Sequence, residues 1–241
     1  MLATTEGIVL HTLKYGESSV ISAIYTRNFG RQSFMINAAR SKRSKNRAGI
    51  LQPLFLVDLV TYQKQSREVQ RVKEIKNNPT YQNIPFDMVK SAQIIFLAEM
   101  LYKTLREEEG SPELFDFLKN TLLYFDLMEK NTANFHLFLL FRLTEYLGFL
   151  PDVRKQGFEN WFDLKKGEVV SFEPAHPYYI HKEATVYLCE LGNLKLKEIS
   201  DWKIPGRIRD YLLTKMIDYY EFHFQNLGEI KSYKVLKEVF H

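Results

Sequence analysis

The break at residues 77–79, Asn-Asn-Pro, constrains the fold most, because the hydrophobic pattern changes its period there. Before the break, short segments rich in β-branched and aromatic residues alternate with polar or glycine-bearing turns, a pattern typical of strands. These segments are residues 7–13, 20–26, 32–37, 53–62 and 67–75. After the break, apolar residues recur at helical spacing. The chain of 241 residues is therefore predicted to hold an all-β domain at 1–78 and a helical domain at 79–241.

The fold class predicted from this pattern is α+β. Five short strands without a convincing helix match a small closed barrel, and we expect an OB-fold. The helical domain is predicted to hold helices at residues 86–108, 111–128, 131–148, 207–226 and 232–240. Glycines and prolines interrupt the apolar pieces between residues 151 and 180, which predicts an irregular insert in that domain.

Charge is distributed unevenly between the two parts. Residues 1–78 hold thirteen Lys and Arg against five Asp and Glu, a balance of +8. The remaining residues hold twenty against twenty-four, a balance of −4. A basic barrel predicts binding of a polyanion, whereas the acidic helical domain predicts a protein partner.

The strongest local signal is the basic segment, residues 39–47, which carries five cations and no carboxylate. These cations are Arg40, Lys42, Arg43, Lys45 and Arg47. Like charges at this density repel one another, so we expect an exposed loop. Phosphates would relieve the repulsion, and the release of their counterions would favour binding. The alternative is a loop that is merely solvated.

The last predicted strand adds to this cationic surface. Alternation places Arg67, Arg71 and Lys73 on one face, with Glu74 on the other. Arg27 and Arg31 flank an earlier turn, and together these cations predict a groove that follows a nucleic-acid backbone. The aromatic residues that could stack on bases are Tyr25, Phe29, Phe34 and Tyr62. In small barrels such residues more often fill the core.

No pattern indicates catalysis, and we expect neither an enzyme nor a cofactor. The phosphate-binding glycine motifs and the serine nucleophile motif are absent. Asp58 with the Glu-Ile-Lys of residues 74–76 only loosely imitates a magnesium-dependent nuclease. His176 and His181 have tolerable metal spacing, but a zinc site needs about four ligands and Cys189 is the single cysteine. We therefore predict no metal site.

The sequence also contains no apolar run that approaches the roughly 18–20 residues of a membrane-spanning helix. Its first residues lack the pattern of a secretory signal, so we expect a cytoplasmic protein without a membrane partner.

A nearly all-apolar helix at residues 135–143 is predicted to lie at the centre of the helical domain. Arg142 is its only formally charged residue before Glu145. This cation either is neutralised internally, by Glu145 or Glu99, or meets an anion from outside. Internal pairing is the commoner outcome.

Taken in order, several stretches resemble the RecO family. In the first part these are Thr-Glu-Gly-Ile-Val-Leu at residues 5–10, Tyr-Gly-Glu-Ser-Ser at 15–19, Tyr-Thr-Arg-Asn-Phe-Gly at 25–30, the basic segment, and Leu-Gln-Pro-Leu at 51–54. In the second part they are Asn-Phe-His-Leu at 134–137, Leu-Gly-Phe-Leu-Pro at 147–151 and Leu-Gly-Glu-Ile-Lys-Ser at 227–232. The resemblance covers nearly the whole chain.

This resemblance implies an OB-fold followed by a helical domain. It also implies a recombination mediator that binds single- and double-stranded DNA, anneals complementary strands and, with RecR, helps load RecA onto gaps coated by single-strand-binding protein. Many members carry a four-cysteine zinc module after the Leu-Gly-Phe stretch, but residues 152–173 contain no cysteine here. The family also binds the acidic, phenylalanine-ending tail of single-strand-binding protein, for which our candidate residues are Phe138, Leu139, Phe141 and Arg142. Alternatives are a general OB-fold RNA-binding protein and the nuclease.

Overall fold

A computed structural model describes residues 1–37, 49–64, 66–106, 109–154, 160–224 and 226–240. Five strands form a closed barrel in the order β1-β2-β3-β5-β4. They are β1 (Leu2–Tyr15), β2 (Ser19–Thr26), β3 (Gly30–Ile36), β4 (Leu56–Tyr62) and β5 (Val69–Asn77). Parallel pairing between β3 and β5, centred on Phe34 and Gln70, closes the barrel. The predicted OB-fold is confirmed.

The barrel closes because β1 pairs with strands on both of its sides. Its first half pairs with β4 and its second half with β2, and the ladder with β2 shifts between Val9 and His11. Gly7 lies where the two ladders overlap. A Cβ at Gly7 would come within 2.6 Å of a methyl of Ile24, so the tight closure needs glycine there. Buried side chains from the strands, among them Val9, Ile24, Phe34 and Leu59, fill the interior.

Among the described residues, three α-helices that are described from end to end belong to the same compact unit as the barrel. They are α1 (Met88–Thr104), α2 (Pro112–Leu127) and, from the end of the chain, α6 (Ser232–Phe240). The unit comprises Met1–Leu127 and Ile230–His241. Its limits differ from the predicted domain boundary at residue 78, which stays a prediction.

A buried carboxylate fixes the segment between the barrel and α1. Asp126, near the end of α2, accepts the backbone N–H groups of Gln82, Asn83 and Ile84 at 2.7–2.9 Å. The Asp126 carbonyl also accepts the buried ammonium of Lys90 at 2.8 Å. Three backbone donors that would otherwise be unpaired are thereby satisfied, which holds the connection in one conformation.

The second compact unit is Met128–Glu229. It contains α3 (Phe135–Tyr146), α4 (Lys182–Asn193) and α5 (Gly206–His223). As predicted, α3 is central: most of its side chains are buried, and the Tyr220 hydroxyl of α5 donates to its Leu140 carbonyl at 2.8 Å. No described helix is long and apolar enough to cross a membrane.

The predicted insert contains more regular structure than its sequence indicates. Within residues 151–180, β6 (Trp161–Asp163), β7 (Glu168–Val170) and β8 (Tyr179–Ile180) form a small antiparallel sheet in the order β7-β6-β8. Helix α4, which follows directly, was also not predicted. Strands of two or three residues are too short for an alternating pattern to be recognised.

Candidate nucleic-acid interface

One row of side chains runs around the outside of the barrel. Residues that lie opposite each other in neighbouring strands point to the same face. The ladders align Leu13 with Ile21, Ile21 with Met35, Met35 with Arg71, and Arg71 with Tyr62. Leu13 is 56% exposed and Tyr62 is 48% exposed. We call these five residues the outer row.

Cations surround the Tyr62 end of the outer row. Residues 62–74 contain four cations and two carboxylates, Glu68 and Glu74. These cations, all exposed, are Lys64, Arg67, Arg71 and Lys73. This part of the barrel therefore carries a local positive charge beside an exposed aromatic ring.

The loop between β4 and β5 is held from within the barrel by Gln70. The buried Gln70 side chain accepts the backbone N–H of Lys64 at 2.9 Å and donates to the carbonyls of Lys64 and Arg67 at 3.0 and 2.7 Å. Gln70 is only 4% exposed, so these bonds are shielded from water. The backbones that carry two of the cations are thereby fixed before any ligand binds.

The predicted alternation along the last strand is wrong at two points. Arg67 precedes β5 and lies in the turn, where its backbone N–H donates to the Lys64 carbonyl at 3.1 Å. The β4–β5 ladder shifts between Val60 and Thr61, so that no residue of β4 is paired with Lys73. The shift leaves the side chains of Lys73 and Glu74 both exposed instead of on opposite faces. The Lys73 Nζ lies 3.5 Å from the Glu74 Oε1. Arg71 and Lys73 nevertheless lie outside the barrel, as predicted.

Arg27 and Arg31, which we predicted to bind DNA, are instead engaged by helices. Arg27 donates to Asp116 of α2 at 2.8 Å and to Glu6 of β1 at 3.4 Å. Arg31 donates to the carbonyl of Tyr102 in α1 at 2.9 Å and lies 5.4 Å from the centre of its ring. These contacts occupy their guanidinium groups, and the structure does not join them to Arg71 and Lys73.

The four candidate stacking residues differ in the exposure of their side chains. Phe34 lies in the barrel core, and Tyr25 is buried with its ring against Phe115 of α2, 6.4 Å between centroids. Phe29 is half-buried in the turn after β2. Tyr62 is the exposed one of the four.

The basic segment lies outside the described residues, so its five cations remain a prediction. The described chain leaves β3 at Asn37. Asn37 stands two positions after Met35, which pairs with Arg71. Asn37, the last described residue before the basic segment, therefore lies close to Arg71 in the sheet.

Sequence reasoning missed Leu13, Ile21, Met35 and Lys64 as parts of this surface. Alternation alone makes Leu13 and Ile21 look like ordinary strand residues, because apolar side chains occur on both faces of β1 and β2. Only the pairing register, which joins residues far apart in the chain, shows that they share one face with Arg71 and Tyr62.

The groups that could imitate a nuclease or a zinc site have other partners. Asp58 lies 3.3 Å from the ammonium of Lys76 and accepts from Asn78 at 2.8 Å. His176 lies 3.3 Å from Asp163, and His181 accepts the Ala184 N–H at the start of α4. Across the described ranges, no three side chains of the metal-binding types cluster together. Burial raises the pKa of the Cys189 thiol, which makes it a poor metal ligand.

Arg142 belongs to α3, and its guanidinium lies at the C-terminal end of α4. Its guanidinium donates to the carbonyls of Gly192 and Leu194 at 3.3 and 2.6 Å, where the helix leaves carbonyls unpaired. The Arg142 guanidinium therefore has internal partners, as predicted, but these are helix carbonyls and not the carboxylates of Glu145 or Glu99.

A cavity of about 360 Å³ borders this arginine. Its lining includes Phe141, Arg142, Leu150, Pro151 and Arg154. Phe138 and Leu139, the other two candidates for the tail contact, are buried. The cavity, within the second unit, combines apolar walls with Arg142 and with Arg154, whose guanidinium is paired at 2.7 Å with Asp152, also in the lining.

Comparison with known proteins identifies the family. The family model for the N-terminal domain of recombination protein O matches residues 1–78, and the model for its C-terminal domain matches residues 85–233. The chain is 34% identical over 241 residues to the DNA repair protein RecO of Bacteroides fragilis and 33% identical over 240 residues to that of Phocaeicola vulgatus. Both alignments cover 100% of each chain. The chain belongs to the RecO family.

Membership places the barrel and the helical part within the two RecO domains. The N-terminal match ends at residue 78, after β5, and the C-terminal match begins at residue 85, before α1. The four-cysteine zinc module that the resemblance implies for many members does not fit here, because the chain has one cysteine and it lies in α4. Two strands of the small sheet, β6 and β7, lie within residues 152–173.

Proposed function

We propose that this RecO-family protein binds single- and double-stranded DNA through its barrel and anneals complementary strands during recombinational repair. The observation that carries the proposal is the exposed cationic surface around Arg71, and the charge of the basic segment in the sequence supports it. The DNA-binding residues of the proposal are Arg67, Arg71 and Lys73 with Arg40, Lys42, Arg43, Lys45 and Arg47. Arg27 and Arg31 are assigned to the packing of α1 and α2.

Annealing follows from phosphate neutralisation and requires no catalytic group. Two complementary strands repel each other through their phosphates, and a protein that binds those phosphates lowers this repulsion. Contacts to phosphates also leave the base edges available for pairing. The proposed role is therefore that of a mediator and not of an enzyme, acting on DNA in the bacterial cytoplasm at the nucleoid.

The helical part is proposed to bind protein partners. The resemblance implies cooperation with RecR and, indirectly, with RecA, and docking of the acidic tail of single-strand-binding protein. The cavity beside Arg142 suits that tail, because its apolar walls fit a terminal phenylalanine and its two arginines exceed the single carboxylate in the lining, Asp152.

Annealing of complementary DNA strands coated with their cognate single-strand-binding protein tests the proposal. We expect this protein to accelerate annealing of coated strands, without added metal and without shortening either strand. A general single-stranded RNA-binding protein would bind the strands but would not anneal the coated DNA. A nuclease would shorten them when Mg²⁺ is added. Either result would contradict the proposal.

A further inference from the structure

We propose that Tyr62 stacks on an unpaired base, so that the outer row binds the bases of a single strand and not its phosphates alone. This inference rests on the proposed DNA-binding function and adds to it the kind of strand that the barrel selects. The barrel would then hold single-stranded DNA in a way that duplex DNA, whose base faces are covered, cannot reproduce.

The position of Tyr62 supports this role. In the sheet it lies between Leu2 of β1 and Arg71 of β5, with a ladder partner on each side. Pairing on both sides fixes the backbone of Tyr62, so no ordering of the main chain is needed when a base stacks on the exposed ring. Leu2, 51% exposed, extends the apolar surface on the far side of the ring.

The outer row places apolar, cationic and aromatic side chains next to one another, as a single DNA strand places bases next to phosphates. Neighbouring strands lie about 4.8 Å apart, so Met35, Arg71 and Tyr62 present an apolar, a cationic and an aromatic group within about 10 Å. Single-stranded DNA presents anionic phosphates beside apolar base faces. Aromatic platforms in a cationic groove are how proteins bind such strands without sequence preference.

Charge favours a nucleic acid over a protein as the occupant. The four cations among residues 62–74 exceed the two carboxylates there, and two of the cations have backbones fixed by Gln70. A polyanion with exposed apolar faces matches this surface, and an unpaired DNA strand is such a polymer.

The test compares a single-stranded oligothymidine of about 20 nucleotides with an abasic oligomer of equal length, which keeps the phosphates but lacks the bases. Binding of each is measured by fluorescence anisotropy with the full chain, Tyr62→Ala and Tyr62→Phe. Tyr178→Ala serves as the matched control, because Tyr178 is 42% exposed but belongs to the second unit. Melting temperatures of all variants verify folding.

We expect the unmodified chain to bind oligothymidine about 5- to 150-fold more tightly than the abasic oligomer, the range that one or more stacked bases supply. Tyr62→Ala should lose most of this preference with unchanged affinity for the abasic oligomer, whereas Tyr62→Phe and Tyr178→Ala should keep it. Equal binding of both oligomers by the unmodified chain would overturn the inference but leave DNA binding intact. A preference that survives in Tyr62→Ala would overturn the assignment to Tyr62. Failure to bind any DNA would instead overturn the proposed function.

Discussion

Arg27 and Asp116 form a 2.8 Å ion pair that joins the turn after β2 to α2. The loop before α2 also lies close to this turn, since a Cβ at Gly110 would come within 2.6 Å of the Arg27 carbonyl oxygen. Because these contacts engage the arginine, we predict that Arg27→Ala leaves DNA affinity within about twofold. The pair is partly exposed and screened, so unfolding should become easier by only about 0.5–1 kcal/mol. Parallel DNA titration and thermal melting of Arg27→Ala and Arg71→Ala check this. A large loss of DNA affinity in Arg27→Ala alone would contradict the assignment.

Glu99 holds the start of α6 against α1, and this contact predicts a dependence on pH. Its carboxylate accepts the N–H groups of Lys231 and Ser232 at 3.0 and 2.8 Å and the Ser232 hydroxyl at 2.5 Å. Burial alone would raise the pKa of Glu99, but these hydrogen bonds and the charge of Lys103 outweigh burial and lower it below its ordinary 4.5. The lowered pKa means that the carboxylate stabilises the folded chain fully above about pH 4.5 and loses this effect as the pH falls through the folded pKa.

We therefore predict that Glu99→Gln destabilises the docked α6 by about 1–2 kcal/mol at neutral pH and by much less in acid. Amide hydrogen exchange of α6 at several pH values measures the difference. The exposed Glu113 in the first turn of α2 offers a matched control, and Glu113→Gln should leave α6 unchanged. Equal destabilisation by Glu99→Gln at every pH would contradict the account.

The absence of a cysteine set predicts a fold that does not depend on zinc. The chain has one cysteine, and the region of the zinc module holds β6 and β7 of the small sheet, whose Phe162 packs 5.8 Å from the ring of Tyr219. We expect that a chelator leaves the melting temperature unchanged. Elemental analysis of protein purified without added metal gives the second readout, and about one bound zinc per chain would contradict the prediction.

The cavity beside Arg142 predicts a binding site for an acidic peptide that ends in phenylalanine. Arg142→Glu and Arg154→Glu should each weaken binding of this peptide at least about tenfold, because repulsion replaces attraction. Arg154 is 89% exposed and paired with Asp152, so its replacement changes the charge at the cavity without removing the hydrogen bonds that Arg142 makes to α4. Titration of labelled peptide and labelled DNA against both variants measures the effect. Affinity for DNA should stay within about twofold. Peptide binding retained in both variants would exclude this cavity as the site.

Local patterns predicted the barrel and most helices because each of these elements carries its signal within a few neighbouring residues. The strands around Ile24 and Phe34 alternate clearly, and α3 is apolar on nearly every side. The sheet β6-β8 was not predicted, since its strands of two or three residues are fixed by packing such as that of the Tyr219 ring against Phe162. Helix α4 was also not predicted, although Ala184, Leu188 and Leu191 lie at helical spacing on its buried face.

The candidate site was only partly predictable, because it depends on contacts between residues that are far apart in the chain. Sequence alone indicated Arg71 and Lys73. Alternation along one strand places Arg71, whereas the shift of the ladder decides the position of Lys73. The sequence also assigned Arg27 and Arg31 to the same surface, because their partners Asp116 and Tyr102 are more than seventy positions away in the chain. The register that places Tyr62 opposite Arg71 is likewise a long-range property of the sheet.

The measurement that tests the central claim most directly is the salt dependence of DNA affinity. We compare the unmodified chain with a triple variant of the basic segment, Arg40, Lys42 and Arg43 to alanine, and with the double variant Arg71→Ala and Lys73→Ala. The exposed Lys130, Lys166 and Lys203 of the second unit, replaced together, provide a control of equal charge change for the triple variant.

If these barrel residues bind phosphates, the slope of log K against log salt should become shallower by up to about 0.7–0.9 for each phosphate that a variant no longer neutralises. All DNA sequences should weaken about equally, because phosphate binding carries no sequence information. The control should keep the slope of the unmodified chain. An unchanged slope in both barrel variants would contradict the claim that the barrel binds DNA through these cations.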